Sequence, residues 1–451
     1  MRLNHSDIIA EARRILHLAW PVMLTSLNWT LMHLIDVAIV GHSGPGELGA
    51  LAAGRALSFI TIIIGIASLS GIIVFTARLD GAGERHRCGD VLRQGLICAV
   101  VLGVPTAFAM HYWAAQITHR IGIAPLFVAE GSDVVRVMAL AFPAQMVMTA
   151  IAYFLEGASR PGRAMVVNLL MLPLNAGLAW AWAGGHLGFP AAGAVGAVSA
   201  TAVISLAGAV GMAVAVWTLP DAPHMQIRDL SLQAWRASAK ATPGLIRFGI
   251  VPGIASGLEM AGFSFLIILS TRLGPTATDA FQTVFSLQNF AFAVAIGIAS
   301  AAGVRTGNAI GEGNPRAAFS RTAIASGLLI VGMGGIALSY AVFGRPLTTL
   351  FSDQSDVRLL ATAMLRILAP FMLCDGLQLI CVYALRSMGD QVVAGINGII
   401  AFFIVTGGLS YWLVMMLGQG PFSLIFAAAA GMVTAAVLQG GRFVQISRRP
   451  R

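Results

Sequence analysis

The chain has 451 residues, of which 57% are apolar and only 10% charged, with 51 glycines. Apolar runs of about 20 residues, each long enough to cross a bilayer as a helix, recur from one end to the other and exclude a soluble globular protein. The formal net charge of +9 invites a nucleic-acid reading, which the distribution of the charges removes.

Twelve runs are read, near 16–40, 50–77, 94–113, 134–155, 164–185, 191–217, 245–271, 278–304, 322–343, 358–385, 392–416 and 421–441. In lipid the backbone must satisfy its own hydrogen bonds, so each is expected to be a helix. With the N-terminus inside, 21 of the 28 Lys and Arg residues fall in inner segments and 7, Arg55 among them, in outer ones. This bias predicts a multi-pass protein with both termini cytoplasmic, so the basic charge reflects topology and not a nucleic-acid surface. Four cysteines without a CxxC give neither a disulfide framework nor a metal site; Cys88 is assigned to a cytoplasmic loop.

The first run carries Asp36 toward its outer end, with His33 three residues earlier on the same helical face and offered as its partner. The fifth run, VVNLLMLPLNAGLAWAW, holds Asn168 and Asn175, expected as polar neighbours of Asp36. Between 220 and 243 the chain turns polar; LSLQAW there suggests a short helix on the inner surface, or a plain linker. The seventh run carries Glu259 and Met260, and the tenth carries Asp375. The eighth holds Phe281, Gln282, Phe285, Ser286, Gln288, Asn289 and Phe292, read as an adaptable aromatic and amide wall around the acids. Prolines at Pro21, Pro105, Pro143, Pro173, Pro252 and Pro370 interrupt apolar runs as kinks, hinges or sources of free carbonyls.

A charge at mid-bilayer costs roughly 2.5–3.5 kcal/mol on insertion scales. Three acids, Asp36, Glu259 and Asp375, bear that cost, and on the sequence no basic residue is buried with them. Their expected counter-ion is therefore mobile: a proton, a small cation or a cationic substrate. Glu259 and Asp375 both belong to the second half, where a shared cation site is the economical arrangement.

The two halves repeat at a separation of about 230 residues. IGIASLSG from Ile64 returns as IGIASAAG from Ile296, and the GAGE turn at 81–84 returns as GEGN at 311–314. Six spans per half make the repeats parallel, about an axis along the membrane normal. The expected domains are 1–219, a cytoplasmic linker 220–243, and 244–451. Spacings of Gly303, Gly307 and Gly311, and of Gly253 and Gly257, predict close helix contacts. The sole lysine, Lys240 in SAKAT, cannot form a Walker A loop, so an ion gradient or the membrane potential is the expected energy source. No HExxH or GxSxG occurs, and His111 and His119 are read as interfacial, so an enzyme is not expected.

LAWPVMLT with Asp36, the GAGE and GEGN turns, SGLEMAGF around Glu259 and CDGLQ around Asp375 are together similar to multidrug and toxic compound extrusion (MATE) transporters, in the norfloxacin-efflux branch. The resemblance implies an all-α membrane protein of twelve transmembrane helices in two parallel six-helix lobes forming a V. It implies an inner-membrane antiporter that exports amphipathic cationic compounds against Na+ or H+; no cofactor is expected, and a monomer is the expected form, although the sequence leaves the oligomeric state open. By position it puts Glu259 and Asp375 in a second-lobe cation site, Asp36 in the first lobe, and Gln282 and Ser286 on the cavity wall. The fifth span lacks the acid with which another branch pairs its first-helix aspartate, leaving a proton role for Asp36 open. The alternatives are a flippase for lipid-linked sugars, whose pyrophosphate substrate would require several buried arginines, and a membrane-embedded enzyme.

Overall fold

The computed structural model describes residues 5–44, 46–120 and 125–447. Of the described residues 88% are helical, and among them twelve helical segments are long and apolar enough to cross a membrane. In chain order the α-helices are α1 (His5–Gly41), α2 (Glu47–Ser68), α3 (Gly71–Gly81), α4 (Cys88–Arg120), α5 (Pro125–Gly157), α6 (Pro161–Gly184), α7 (Gly193–Trp217) and α8 (Leu232–Arg272). They continue as α9 (Pro275–Gly311), α10 (Pro315–Thr349), α11 (Ser355–Leu368), α12 (Met372–Met388), α13 (Gln391–Gly398), α14 (Gly408–Tyr411) and α15 (Phe422–Ser447). Most helices overrun the apolar runs by several residues, because hydrocarbon thickness limits only the apolar stretch and polar ends continue into the interface.

Local sequence explains the ends. Pro161, Pro275 and Pro315 each open a helix, where the missing N–H costs nothing. Asn314 caps α10 by accepting the Ala317 N–H at 3.0 Å. Gly389, at φ 89°, ends α12 in the left-handed region where a side chain would strain. Pro21, Pro105, Pro143, Pro173 and Pro252 all lie inside helices, whereas Pro370 sits in a 3-10 turn, Ala369–Phe371, between α11 and α12. The eleventh span is wound partly as π-helix, over Ile399–Gly407 and Trp412–Met416.

Two expectations are corrected. LSLQAW forms no separate surface helix: Leu232 begins α8, which runs unbroken through the seventh span. Asp229 accepts the Ser231 N–H at 2.9 Å, and the Ser231 hydroxyl oxygen accepts the Ala234 N–H at 3.3 Å, which caps that start. Cys88 is not in a loop but opens α4 and is fully buried. Burial follows because the Gly89 N–H donates to the Met225 carbonyl at 2.8 Å, seating the 220–229 segment on that helix end. Buried Arg93 ties the same segment down through the carbonyls of Gln226 and Asp229.

The chain forms two compact units, Leu27–Gly253 and Met1–Ser26 with Ile254–Arg451. The division falls inside α1, five residues after Pro21, and inside α8, just after Pro252. In the Leu27–Gly253 unit the core gathers Leu69, Ile72, Met146, Ile151, Phe154 and Leu155, all essentially inaccessible. Between lipid-embedded helices such contacts stabilise through dispersion and close approach rather than release of water. In the split unit, Glu11 of α1 is bound by Arg305 of α9 at 2.5 and 2.7 Å, fastening the first helix to its own unit.

Candidate functional site

Glu259 lies mid-way along α8, in the split unit, together with Asp375 in the first turn of α12. The 3-10 turn Ala369–Phe371, which contains Pro370, lies just before Asp375 within one continuous helical span, Ser355–Met388. Asp375 is 5% exposed and lies among amides: Gln378 Nε2 donates to Oδ1 at 3.4 Å, and the buried Gln288 side chain of α9 lies near enough to act on the carboxylate. Glu259 is half-buried, and no side-chain hydrogen bond or ion pair joins it to any other described residue. The charges of Asp375 and Arg386 both act on it, yet Arg386 forms no ion pair with either acid. Its guanidinium lies 5.8 Å over the Tyr383 ring, with Nε buried and without a partner. The unit thus holds two acids, one bound by a neutral amide and one without a fixed partner. Such oxygens suit a proton or a hard cation that arrives and leaves.

The eighth-span residues separate onto two faces of α9. Phe281 and Gln288 are buried and Phe285 is half-buried; the Phe285 ring lies 6.0 Å from Phe263 of α8 and 6.4 Å from Phe281. Phe263 in turn stands 5.5 Å from Phe402 of the eleventh span, so aromatic surface lines the same side as the acids. Gln282 and Asn289 are exposed on another face, and the half-buried Ser286 donates to the Gln282 carbonyl at 2.8 Å. Met260 is half-buried beside Glu259.

Asp36 stands apart, in the Leu27–Gly253 unit, and the sequence reading of its surroundings needs correction. It is 1% exposed, and Arg55 of α2 donates Nη2 to Oδ2 at 2.6 Å, so a basic residue is buried with it after all. Counting charges along the sequence places Arg55 in an outer segment. In the fold α1 ends at Gly41 and α2 begins at Glu47, so Asp36 and Arg55 lie about 8 and 12 Å from their helix ends at 1.5 Å per residue. The long arginine side chain spans the difference. Asn175 of α6 does meet Asp36, donating Nδ2 to Oδ1 at 2.8 Å, and the Thr201 hydroxyl of α7, which donates to the Ala197 carbonyl at 3.3 Å, lies near the same carboxylate. Asn168 does not: it donates to Ala164, and its carbonyl accepts from Asn28. His33 is not the partner of Asp36; its backbone carbonyl accepts from Arg55 at 3.4 Å, and its ring packs edge-on against Trp29 and Phe59. Among the described residues no group of three or more His, Cys, Asp or Glu is placed to hold a metal ion.

Comparison with known proteins places this architecture. The MatE family model matches residues 21–181 and 253–412, two blocks offset by 232 residues at their starts, in agreement with the internal repeat. Relatives include the probable multidrug resistance protein NorM of Rhodopseudomonas palustris, 28% identical over 437 residues, which cover 96% of this chain and 91% of that protein. The multidrug resistance protein NorM of Aliivibrio fischeri is 25% identical over 457 residues, covering 98% and 96%. Among solved structures, the eukaryotic MATE transporter AtDTX14 superposes with a TM-score of 0.84 at 18% identity, covering 98% of this chain and 99% of that one. A MOP superfamily transporter from Pyrococcus furiosus, described as having a binding pocket of reverse polarity, gives 0.85 at 20% identity, covering 97% and 96%. These structural likenesses establish a shared twelve-helix fold, and the family match over both halves establishes kinship: the chain belongs to the MatE family of multidrug efflux transporters and is not an enzyme.

Proposed function

We propose that this transporter is a secondary antiporter of a bacterial inner membrane. It exports amphipathic, mostly cationic compounds by alternating access, in exchange for Na+ or H+ taken up at Glu259 and Asp375. The observation that carries this reading is that one unit holds both acids, Asp375 bound by a neutral amide and Glu259 without a side-chain partner, with no guanidinium bound to either. Two nearby carboxylates that lack a resident partner compete for any mobile positive charge, whether a coupling ion or a drug. The half-buried rings of Phe263 and Phe285, backed by buried Phe281, offer a cationic, flat substrate both dispersion and cation–π contact. An incoming ion lowers affinity for the drug, and by reciprocity the drug lowers affinity for the ion; a factor of about 100 corresponds to about 2.7 kcal/mol of coupling. The lipid-linked sugar alternative calls for a cavity rich in free guanidinium groups, whereas the site described here is built on two carboxylates with no guanidinium bound to either.

The test is ethidium efflux from proteoliposomes with sodium and pH gradients imposed separately, for the wild type and for Glu259→Gln and Asp375→Asn. Each substitution is expected to abolish gradient-driven efflux. Unchanged efflux by both variants would remove the mechanism.

A further inference from the structure

The Asp36 cluster holds its own positive charge, and the proposed exchange at Glu259 and Asp375 gives that charge no task. Four helices converge on the carboxylate: α1 supplies Asp36, α2 Arg55, α6 Asn175 and α7 Thr201. The ion pair is 2.6 Å long, with side-chain exposures of 16% for Arg55 and 2% for Asp36, so little water competes for either partner. His33 is the other ionisable side chain in the cluster, and its backbone carbonyl helps hold Arg55 in place. We propose that Arg55 is a tethered counter-cation for Asp36, which closes the acid of the Leu27–Gly253 unit to both coupling ion and cationic substrate and leaves Glu259 and Asp375 as the exchangeable cation site. The inference rests on the antiport reading.

The physical reason is concentration. A guanidinium held on a neighbouring helix competes at an effective concentration in the millimolar range or above. A dilute cationic drug must displace it while matching its geometry in a dry pocket. Displacement would also strand a guanidinium whose Nε is already buried without a partner. Arg55 therefore acts through Asp36 as a positioning and specificity-determining residue, not as a substrate contact. Chains with the same acid but no such arginine would have one more binding site for a cation.

The experiment is equilibrium binding of radioactive sodium and of ethidium to purified full-length protein, with monodispersity and thermal stability checked for every variant. Glu259→Gln/Asp375→Asn is expected to lose saturable binding by about tenfold or more. Adding Arg55→Gln to that pair is expected to create one saturable cation site, and adding Asp36→Asn to abolish it again. A merely structural arginine would give no such gain. Residual binding in Glu259→Gln/Asp375→Asn that disappears with Asp36→Asn overturns the inference, because the acid was then open all along. Residual binding that survives Asp36→Asn overturns the antiport reading instead and leaves Asp36 inert, as inferred. A folded Arg55→Gln triple variant without new binding also overturns it. Should that variant not fold, Asp36→Asn/Arg55→Gln in the wild-type background decides. Efflux within about twofold of wild type is expected, and a loss of about tenfold with the fold intact overturns the inference.

Discussion

A buried carboxylate takes its role from what it touches, and the three intramembrane acids touch different things. Asp375 lies among amides, which orient its oxygens without neutralising them. Replacing Gln288 or Gln378 by Leu removes a donor to a charged group, an interaction worth about 1.5–3 kcal/mol. The half-saturating coupling-ion concentration for efflux is expected to shift about tenfold or more, with maximal rate less affected; equal kinetics in both variants would show that the amides do not organise the site. Asp36 is locked to a guanidinium, so Arg55→Gln leaves a dry charge unpaired and is expected to cost about 3–5 kcal/mol of stability. A thermal melt in detergent checks this, and the joint change Asp36→Asn/Arg55→Gln is expected to recover most of the loss. Arg55 and its reach to Asp36 were not legible in the sequence, although Arg55 lies within the apolar run 50–77. Counting charges by side of the membrane treats an arginine as an interfacial marker and says nothing of a partner on the preceding helix.

At the level of helices, close approach decides what the chain tolerates. A Cβ on Gly249 of α8 would lie 1.8 Å from the Ser68 carbonyl oxygen, and one on Gly262 would lie 2.4 Å from that of Phe402. Backbone cannot give way as a side-chain tip can, so Gly249→Ala and Gly262→Ala are expected to cost about 1–3 kcal/mol each. Gly327→Ala meets nothing within 4 Å and serves as the control in the same melts. Gly262→Ala also presses on the π-wound eleventh span, whose Phe402 stands beside Phe263, so it is expected to reduce ethidium affinity as well. The glycine spacing at Gly253 was legible, and a Cβ there would lie 2.2 Å from the Ser68 hydroxyl. Gly249 extends the same every-fourth-residue series, four residues before Gly253, whereas Gly262 falls outside it and is explained only by the neighbour it meets. Outside the membrane, hydrogen bonds from Ser231 hold the Asp229 carboxyl below the usual carboxylate range. A depressed acid contributes stability above its unfolded value and loses it as pH falls through the folded one. Proteolytic nicking of the 220–231 segment is therefore expected to rise on acidification, and to be raised already at neutral pH in Asp229→Asn.

For the whole molecule, orientation follows from charge. With the N-terminus inside, a single cysteine at Ser231 in a cysteine-free background is expected to react only with a reagent delivered to the cytoplasmic face. One at Gln354, between α10 and α11, is expected to react only from outside. The opposite pattern would reverse the topology and, with it, the direction of drug movement. The division of each unit inside α1 and α8 is a property of the folded chain: the repeat seen in the sequence divides near the polar 220–243 stretch, whereas contacts assign the first 26 residues to the unit that begins at Ile254.

The sequence by itself determined the membrane environment, the twelve spans, the duplication and the three acids. Each of these is a property of composition along one segment: a bilayer selects apolar length, and a charge within it is conspicuous wherever it sits. Tertiary structure alone decided which acid is free. Packing of α2 on α1 brings Arg55 to Asp36, 19 residues away in the chain, and helices α9 and α12 bring two glutamine side chains to Asp375. Hydropathy is summed along the chain, whereas an ion pair in a low-dielectric interior depends on a few ångströms between side chains from different spans.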